Sequence, residues 1–335
     1  MFSQTNQHGT GFSIASQVAV FLHKNLNIIA PAVVFVLFFS AGSMMYRNFF
    51  TLRVFLNLFT DNSYLGIAAV GMTVVIISGG IDLSVGSIVS TTAMIIAVMT
   101  QAQLGPAVFL PVALLFGTTL GLMMGLVIHY FDAPPFIVTL AGMFFARGFG
   151  YVLSLSSVPI RSALLSDLSG VAITLPGRAR LTLLAIVFLF MLTLTYHMLR
   201  RTKFGRTVYA IGGGEESAFL MGLPVVRTKI LIYTFSGFCA GIAGIVYSLY
   251  TLSGFGLAVL GLELEAIAAV VIGGTLLSGG YGSVIGTFVG VAIQGLIQTI
   301  VAFEGASVYW TRIITGALLF AFIVLQRLFV SQSLE

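Results

Sequence analysis

Charged residues are scarce in this sequence. They make up 7% of the 335 residues, whereas 58% are hydrophobic, and the mean hydropathy is +1.09. Ordinary soluble domains carry about 25% charged residues, so the composition excludes that class and predicts a polytopic membrane protein. We therefore attribute the net charge of +5 to basic residues that set the orientation of the helices in the bilayer. The net charge does not indicate nucleic-acid binding, because most basic residues lie at helix ends and form no continuous basic face.

Residues that carry cofactor or redox chemistry are also few. Cysteine occurs once, as Cys239 in an apolar run, which excludes a disulfide framework and a thiolate metal cluster. The four histidines lack the spacing of metal ligands, and the glycine run at 212–214 is followed by Glu215 and has no phosphate-loop lysine. We therefore expect no catalytic residues, no metal and no bound cofactor. If ATP drives this protein, its hydrolysis belongs to another chain.

Apolar runs of nearly membrane-spanning length dominate the chain. We count ten: 27–45, 64–78, 83–100, 106–130, 135–153, 181–199, 230–252, 262–277, 284–303 and 310–325. The interval 154–180 is too polar to span. The sequence thus predicts an all-α fold of about ten transmembrane helices, with a cytoplasmic segment at 1–26, one transmembrane domain at 27–330 and a cytoplasmic tail at 331–335.

The interval 200–229 is the longest polar stretch in the second half and holds six of the fifteen basic residues. The positive-inside rule places it in the cytoplasm, and an even number of preceding spans puts both termini there too. Acidic residues at 215 and 216 and a Gly-Leu-Pro stop at 222–224 predict a short helix. We expect Ala218 and Gly222 to share a face that another protein can approach closely. The alternative is a solvated connector that only fixes orientation.

An internal repeat relates the two halves at an offset of 200. Residues 67–70 (IAAV) recur at 267–270, and Ser78-Gly79-Gly80 recurs as Ser278-Gly279-Gly280. Duplicated halves are common in transporters. Each copy contains a Gly-Gly break whose freed backbone groups need protein or cavity water as partners. Glycines at four-residue intervals predict close helix packing: 117, 121 and 125; 237 and 241; and 282, 286 and 290.

Two charged residues lie in or beside spans. Asp82 follows the first Gly-Gly pair, where it is either the N-cap of the next helix or a functional carboxylate. Arg147 lies well inside a span, as a functional residue or as the partner of Glu263, Glu265 or a backbone carbonyl. A transport pathway for a neutral solute with many hydroxyl groups needs weak, distributed hydrogen bonds. Uncharged polar candidates in or near spans are Asn57, Asn62, Ser78, Thr139, Ser278, Gln294 and Gln298.

Four runs carry a family resemblance: GMTVVIISGGIDLSVGSIVS (71–90), PPFIVTLAGMFFARG (134–148), FGRTVYAIGGGEESAFLMGL (204–223) and IAAVVIGGTLLSGGYGSVIGT (267–287). Together they resemble the permeases of bacterial ribose-type sugar ABC importers over nearly the whole chain, most closely the galactofuranose permeases. The resemblance implies an inner-membrane subunit that pairs with a second permease, binds a tandem ATPase and receives sugar from a periplasmic binding protein. It makes Glu216, Ser217, Ala218 and Gly222 part of the helix that docks into the ATPase, although the family-wide pattern has alanine at 217.

The function expected is therefore a permease subunit that forms the path for a monosaccharide in an ATP-driven importer. An ion- or proton-coupled secondary transporter is the alternative. Such a carrier needs several carboxylates within its spans, whereas most carboxylates here lie at span ends or in loops.

Overall fold

The protein is predominantly helical, and a computed structural model describes residues 14–307 and 309–332. The helices are α1 (Ile14–Met45), α2 (Leu52–Asp61), α3 (Ser63–Ile77), α4 (Val85–Gln101), α5 (Pro106–Tyr130), α6 (Pro135–Leu153), α7 (Ala163–Gly170), α8 (Leu183–Arg201), α9 (Lys203–Gly213), α10 (Glu215–Leu220), α11 (Val225–Thr251), α12 (Leu262–Ile272), α13 (Val284–Phe303) and α14 (Tyr309–Gln332). Residues 331 and 332 of the predicted tail are thus helical, and 333–335 lie outside the described residues. Of the predicted segment 1–26, residues 1–13 also lie outside them, and 14–26 belong to α1.

A helix stands at each of the ten predicted spans. Five helices, α5, α6, α8, α11 and α13, are long and apolar enough to cross a membrane. The pair α2–α3 makes a sixth such span, bent by 60° at Asn62. Three further apolar helical segments are shorter: Ile29–Met45 of α1, the whole of α4, and Tyr309–Val324 of α14. The protein is therefore a multi-pass membrane protein, while the count of ten crossings stays a prediction.

The centre of the bundle is formed by α3 and α11. Every residue of α3 except Tyr64 is buried, which explains why its sequence is apolar on all sides. Helix α11 packs against α3, α4 and α5. By contrast, most of the surface of α6 is uncovered, with large exposed side chains such as Phe144 and Phe145. Such a surface suits lipid or a second subunit.

The predicted glycine rows are contact surfaces between helices. On α5, a Cβ at Gly117 would lie 2.5 Å from the carbonyl oxygen of Gly237 in α11. A Cβ at Gly121 would overlap the carbonyl oxygen of Tyr233. On α13, Gly290 packs in the same way against the Ala269 carbonyl of α12. These rows therefore fix the distances between backbones, as predicted.

The polar interval 154–182 is not purely helical, so the all-α prediction needs a small correction. Strand β1 (Val158–Pro159) pairs antiparallel with β4 (Ser253–Gly254), and β2 (Ala172–Leu175) pairs with β3 (Ala179–Thr182). A turn with Gly177 at φ +77° joins β2 to β3. Beta-branched residues in β2 favour the extended backbone.

Candidate functional site

The two Gly-Gly breaks contact each other at one end of the bundle. The first connects α3 to α4 and the second connects α12 to α13. The amide of Gly280 donates a 2.8 Å hydrogen bond to the carbonyl oxygen of Ile77. A Cβ on Gly279 would lie 2.8 Å from the Gly79 nitrogen. Protein groups therefore satisfy part of the backbone that these breaks free, and the two halves of the chain meet through main-chain atoms.

The last turn of α9 completes this contact. A Cβ at Gly212 would overlap both the Ile77 carbonyl oxygen and the Gly280 amide nitrogen, so only glycine fits there. At the next residue, Gly213, a Cβ would have nothing within 4 Å of it. We call the set Gly79, Gly80, Gly212, Gly279 and Gly280 the glycine junction. It links the cytoplasm-directed loop predicted at 200–229 to both breaks.

Helix α9 is held in place at both ends. The Thr202 hydroxyl accepts a 3.2 Å hydrogen bond from the Gly205 amide and caps the first turn. Near the last turn, the Tyr209 hydroxyl donates a 2.9 Å hydrogen bond to the carbonyl oxygen of Gly282 in the second break. Burial raises the pKa of Tyr209 above its ordinary value, so the phenol stays a proton donor. Helix α9 thus contacts the second break through Tyr209 as well as Gly212.

Helix α10 presents an exposed apolar surface. Phe219, Leu220 and Met221 are all largely exposed, and Leu220 is 79% exposed. The short helix is positioned by Lys229 of α11, whose ammonium lies 2.7 Å from a carboxylate oxygen of Glu215. Three adjacent large apolar side chains beside charged residues are typical of a protein contact surface.

One part of the α10 prediction is wrong. Ala218 does not share an outward face with Gly222, because Ala218 is fully buried against its own chain. The helix ends at Leu220, and Gly222 lies beyond it at φ +74°. The Leu223 amide there donates to the Ala218 carbonyl oxygen at 3.2 Å, a glycine-dependent helix ending. Glu216, Ser217 and Gly222 are exposed.

Asp82 is buried and fully engaged in hydrogen bonds. One carboxylate oxygen accepts from the amide and hydroxyl of Ser84 at 2.9 and 2.6 Å, and the other accepts from the Ser236 hydroxyl of α11 at 2.7 Å. The N-cap residue of α4 is Ser84, so the predicted cap is displaced by two residues. Asp82 instead forms a turn with Ser84 and ties the first break to α11. Thr139 of α6 supports the same break, with its hydroxyl 3.2 Å from the Ile81 carbonyl oxygen.

Arg147 has none of the partners that the sequence suggested. Its three guanidinium nitrogens are buried, and none has a hydrogen-bond partner among the described residues. Glu263 has one buried carboxylate oxygen that also lacks a hydrogen-bond partner among the described residues, and this oxygen packs against Gly86. Neither carboxylate candidate, Glu263 or Glu265, forms an ion pair with Arg147 within the described part of the chain. A buried charge without a partner is costly, so Arg147 requires a partner from outside the described residues or another conformation.

The other polar candidates lie in four separate places. Asn62 is buried, packs against Gly295 and donates a 3.0 Å hydrogen bond to the Leu58 carbonyl oxygen, which positions it at the bend between α2 and α3. Ser78 and Ser278 flank the glycine junction, and Asn57 is exposed on α2. Gln294 and Gln298 line a cavity between α12, α13 and α14. The structure thus does not bring all the candidates together in one place.

Sequence reasoning missed two features. Tyr209 and Gly212 lie in the polar loop, where their contacts with breaks far away in sequence leave no local pattern. Arg312 reaches the same cavity as Gln298, but it lies at the start of α14, where a basic residue is usually attributed to topology. The described residues contain no cluster of metal-ligating side chains.

The fold and the junction define the class of protein. A bundle of apolar helices whose two halves meet at glycine breaks, joined to an exposed apolar helix in a polar loop, is the architecture of a membrane transport subunit. The sequence pattern of the branched-chain amino acid transport system permease component matches residues 54–323. The chain belongs to this permease family.

Relatives over nearly the full length support the assignment. The chain is 48% identical to the inner membrane ABC transporter permease protein YjfF of Escherichia coli K12, over 91% of this chain and 93% of that protein. It is 36% identical to the fructose import permease protein FruG of Bifidobacterium longum, over 89% and 90%. It is 34% identical to the ribose import permease protein RbsC of Escherichia coli K12, over 83% and 86%. No solved structure matches the chain.

Proposed function

We propose that this chain is the permease subunit of an ATP-driven sugar importer in the bacterial inner membrane. The observation that carries the proposal is the continuous connection from the exposed surface of α10, through Gly212 and Tyr209 of α9, to both Gly-Gly breaks. A force applied to α10 by a partner is thereby transmitted to the centre of the bundle. No energy-converting residues are needed in the permease itself.

The partner of α10 in this proposal is a tandem ATPase in the cytoplasm. Phe219, Leu220 and Met221 supply apolar contact, and Glu216, Ser217 and Gly222 border it. Ala218, on the buried side of α10, packs against the rest of the chain. With this loop in the cytoplasm, both termini lie there too. ATP is bound and hydrolysed by the partner alone.

The substrate in this proposal is a monosaccharide of the galactofuranose or ribose type. The curated relatives include import permeases named for ribose and fructose, and the sequence resemblance favours galactofuranose. A periplasmic binding protein delivers the sugar. A second permease, of the same or a homologous chain, covers exposed apolar surface such as that of α6. Arg147, with no partner among the described residues, and the polar residues in or near the spans are the candidates for the path.

The alternative, a secondary transporter driven by ions or protons, explains less. It gives no role to the exposed apolar surface of α10 or to the junction behind it. Asp82 accepts three hydrogen bonds within the chain, which leaves it poorly suited to bind and release a transported ion.

Replacing Leu220 by glutamate tests the docking surface. We expect the Leu220→Glu permease to fold normally, because the side chain is 79% exposed. The amount of ATPase that copurifies with it from membranes should fall at least about tenfold, since a charge replaces an apolar contact. The measurement is the ratio of ATPase to permease after affinity purification of the permease.

The matched control is Leu155→Glu, which changes an 80% exposed leucine in the connection after α6. That side chain lies beyond the opposite end of the spans from α10 in the proposed topology. The control should keep the wild-type ratio. Equal retention by the two variants would show that α10 does not bind the ATPase.

A further inference from the structure

Two adjoining, partly open cavities lie between the described residues of α12, α13 and α14, and the larger is also lined by Tyr64 of α3 and by residues within 257–260. Their volumes are 560 and 350 Å³, and they share Glu265, Gln298, Thr311 and Arg312 as lining residues. Pockets that hold small molecules usually measure about 300–1,000 Å³. Each cavity is therefore large enough for one monosaccharide.

Gln294 is one of the residues that line the smaller cavity. Its side chain is only 1% exposed, and its amide nitrogen donates to the backbone carbonyl oxygen of Glu265 at 2.9 Å. Its amide oxygen is buried and has no hydrogen-bond partner among the described residues. A buried acceptor without a partner is unfavourable by about 1–3 kcal/mol, and a ligand hydroxyl in the cavity would relieve this cost once the Gln294 side chain moves to expose its oxygen.

The other polar groups of the cavities complement Gln294. The Glu265 carboxylate accepts hydrogen bonds, the Arg312 guanidinium donates them, and the Gln298 amide and Thr311 hydroxyl do both. Glu265 and Arg312 interact electrostatically but form no ion pair within the described ranges. One Arg312 nitrogen donates a 3.3 Å hydrogen bond to the Leu260 carbonyl oxygen, and its other nitrogens and the Glu265 carboxylate keep bonding capacity. The charges of these two side chains also cancel. The cavities therefore suit a neutral molecule with many hydroxyl groups better than an ion.

The cavities extend from the middle of α13 toward the end remote from the glycine junction. Gln294 is about 15 Å and Gln298 about 21 Å along α13 from its first residue, at roughly 1.5 Å per residue, and that first residue follows the second break. If α10 faces the cytoplasm, as proposed above, these groups face the side from which sugar arrives.

We infer that the cavities between α12, α13 and α14 form a sugar-binding site in the outer half of the permease, with Glu265, Gln294, Gln298 and Arg312 binding the hydroxyl groups of a neutral monosaccharide. The inference rests on the proposed function and adds the place where the permease itself contacts its substrate. Binding there is weak, because a transport site must release what it binds.

Uptake by the complete complex in proteoliposomes tests the site. Radiolabelled D-galactose and D-ribose are supplied with the binding protein outside and ATP inside. We expect Gln294→Leu and Glu265→Gln to lower uptake at least about tenfold, the effect of one or two lost buried hydrogen bonds. Thr299→Val is the matched control on α13, because its hydroxyl bonds the Gly295 carbonyl oxygen of its own helix. It should stay within about twofold of wild type, since substitutions away from a site usually have small effects.

Protection of a cysteine measures binding independently of transport. In a Cys239→Ser background, Gln298→Cys should react more slowly with a thiol reagent when D-galactose or D-ribose is added in the millimolar range to membranes that hold the permease and ATPase. Ser307→Cys, exposed on the α13–α14 connection, should react at the same rate with and without sugar.

Unchanged labelling at position 298, together with wild-type uptake by Gln294→Leu and Glu265→Gln, would overturn the site while leaving the proposed function standing. Failure of the proposed function would give a different result: the wild-type complex itself would then accumulate neither D-galactose nor D-ribose when ATP is supplied.

Discussion

Replacing Gly212 by alanine is expected to abolish ATP-driven sugar uptake, although it adds a single methyl group. That methyl would overlap the Ile77 carbonyl oxygen and the Gly280 amide nitrogen, both of them main-chain atoms that no side-chain rotation can move away. The 2.8 Å hydrogen bond between those two atoms, which joins the two breaks, has to lengthen or break. Displacement of α9 also strains the hydrogen bond from Tyr209 to Gly282.

The adjacent glycine provides the control. Gly213→Ala makes the same change one residue later, where nothing lies within 4 Å of the added methyl. We expect its uptake to match wild type and that of Gly212→Ala to fall by at least about a hundredfold, as overpacking of about 3 kcal/mol implies. Uptake by each variant is measured in separate, identically prepared proteoliposomes that contain equal amounts of assembled complex. Similar uptake by the two variants would remove the glycine junction from the mechanism.

Replacing Gly121 by leucine is expected to prevent assembly of the permease. The α5 backbone approaches α11 so closely that even a Cβ at Gly121 would overlap the Tyr233 carbonyl oxygen and lie 3.1 Å from the Gly237 Cα. A leucine side chain has to separate the two helices. Because close packing is the main attraction between helices in lipid, this separation removes the contact along the whole row.

The control carries the same leucine at Gly105, the N-cap residue of α5, where nothing lies within 4 Å of the Cβ position and the residue is exposed. Gly105→Leu should give wild-type amounts of detergent-soluble, monodisperse complex, and Gly121→Leu at most about a tenth of them. Size-exclusion chromatography of the solubilised complex makes the measurement. A normal yield for Gly121→Leu would show that the glycine row does not hold α5 against α11.

Local pattern was enough to predict the long apolar helices. Apolar runs of nearly spanning length coincide with helices, and glycines at four-residue intervals marked close-packing faces, but not that the rows of α5 and α11 pack against each other. Both signals lie within one segment, where lipid and close packing restrict the residue types directly. The two-stranded pairs after α6 escaped prediction because their strands are only two to four residues long.

The site was harder to predict because it depends on contacts between distant segments. The sequence showed two Gly-Gly breaks, but not that Gly279 lies against Gly79 or that Gly212 contacts both segments. Ala218 looked like an outward small residue, although tertiary packing buries it. The repeat at an offset of 200 stays a prediction. Helix α12 ends at Ile272, five residues before the position that corresponds to the end of α3 at Ile77.

The driving force of transport tests the central claim most directly. Proteoliposomes that contain the permease and its ATPase, with the binding protein outside, are given radiolabelled D-galactose or D-ribose either with internal ATP or with imposed proton and sodium gradients and no nucleotide. We expect accumulation with ATP alone, unaffected by ionophores that collapse the gradients. Accumulation that follows the gradients in the absence of ATP would contradict it.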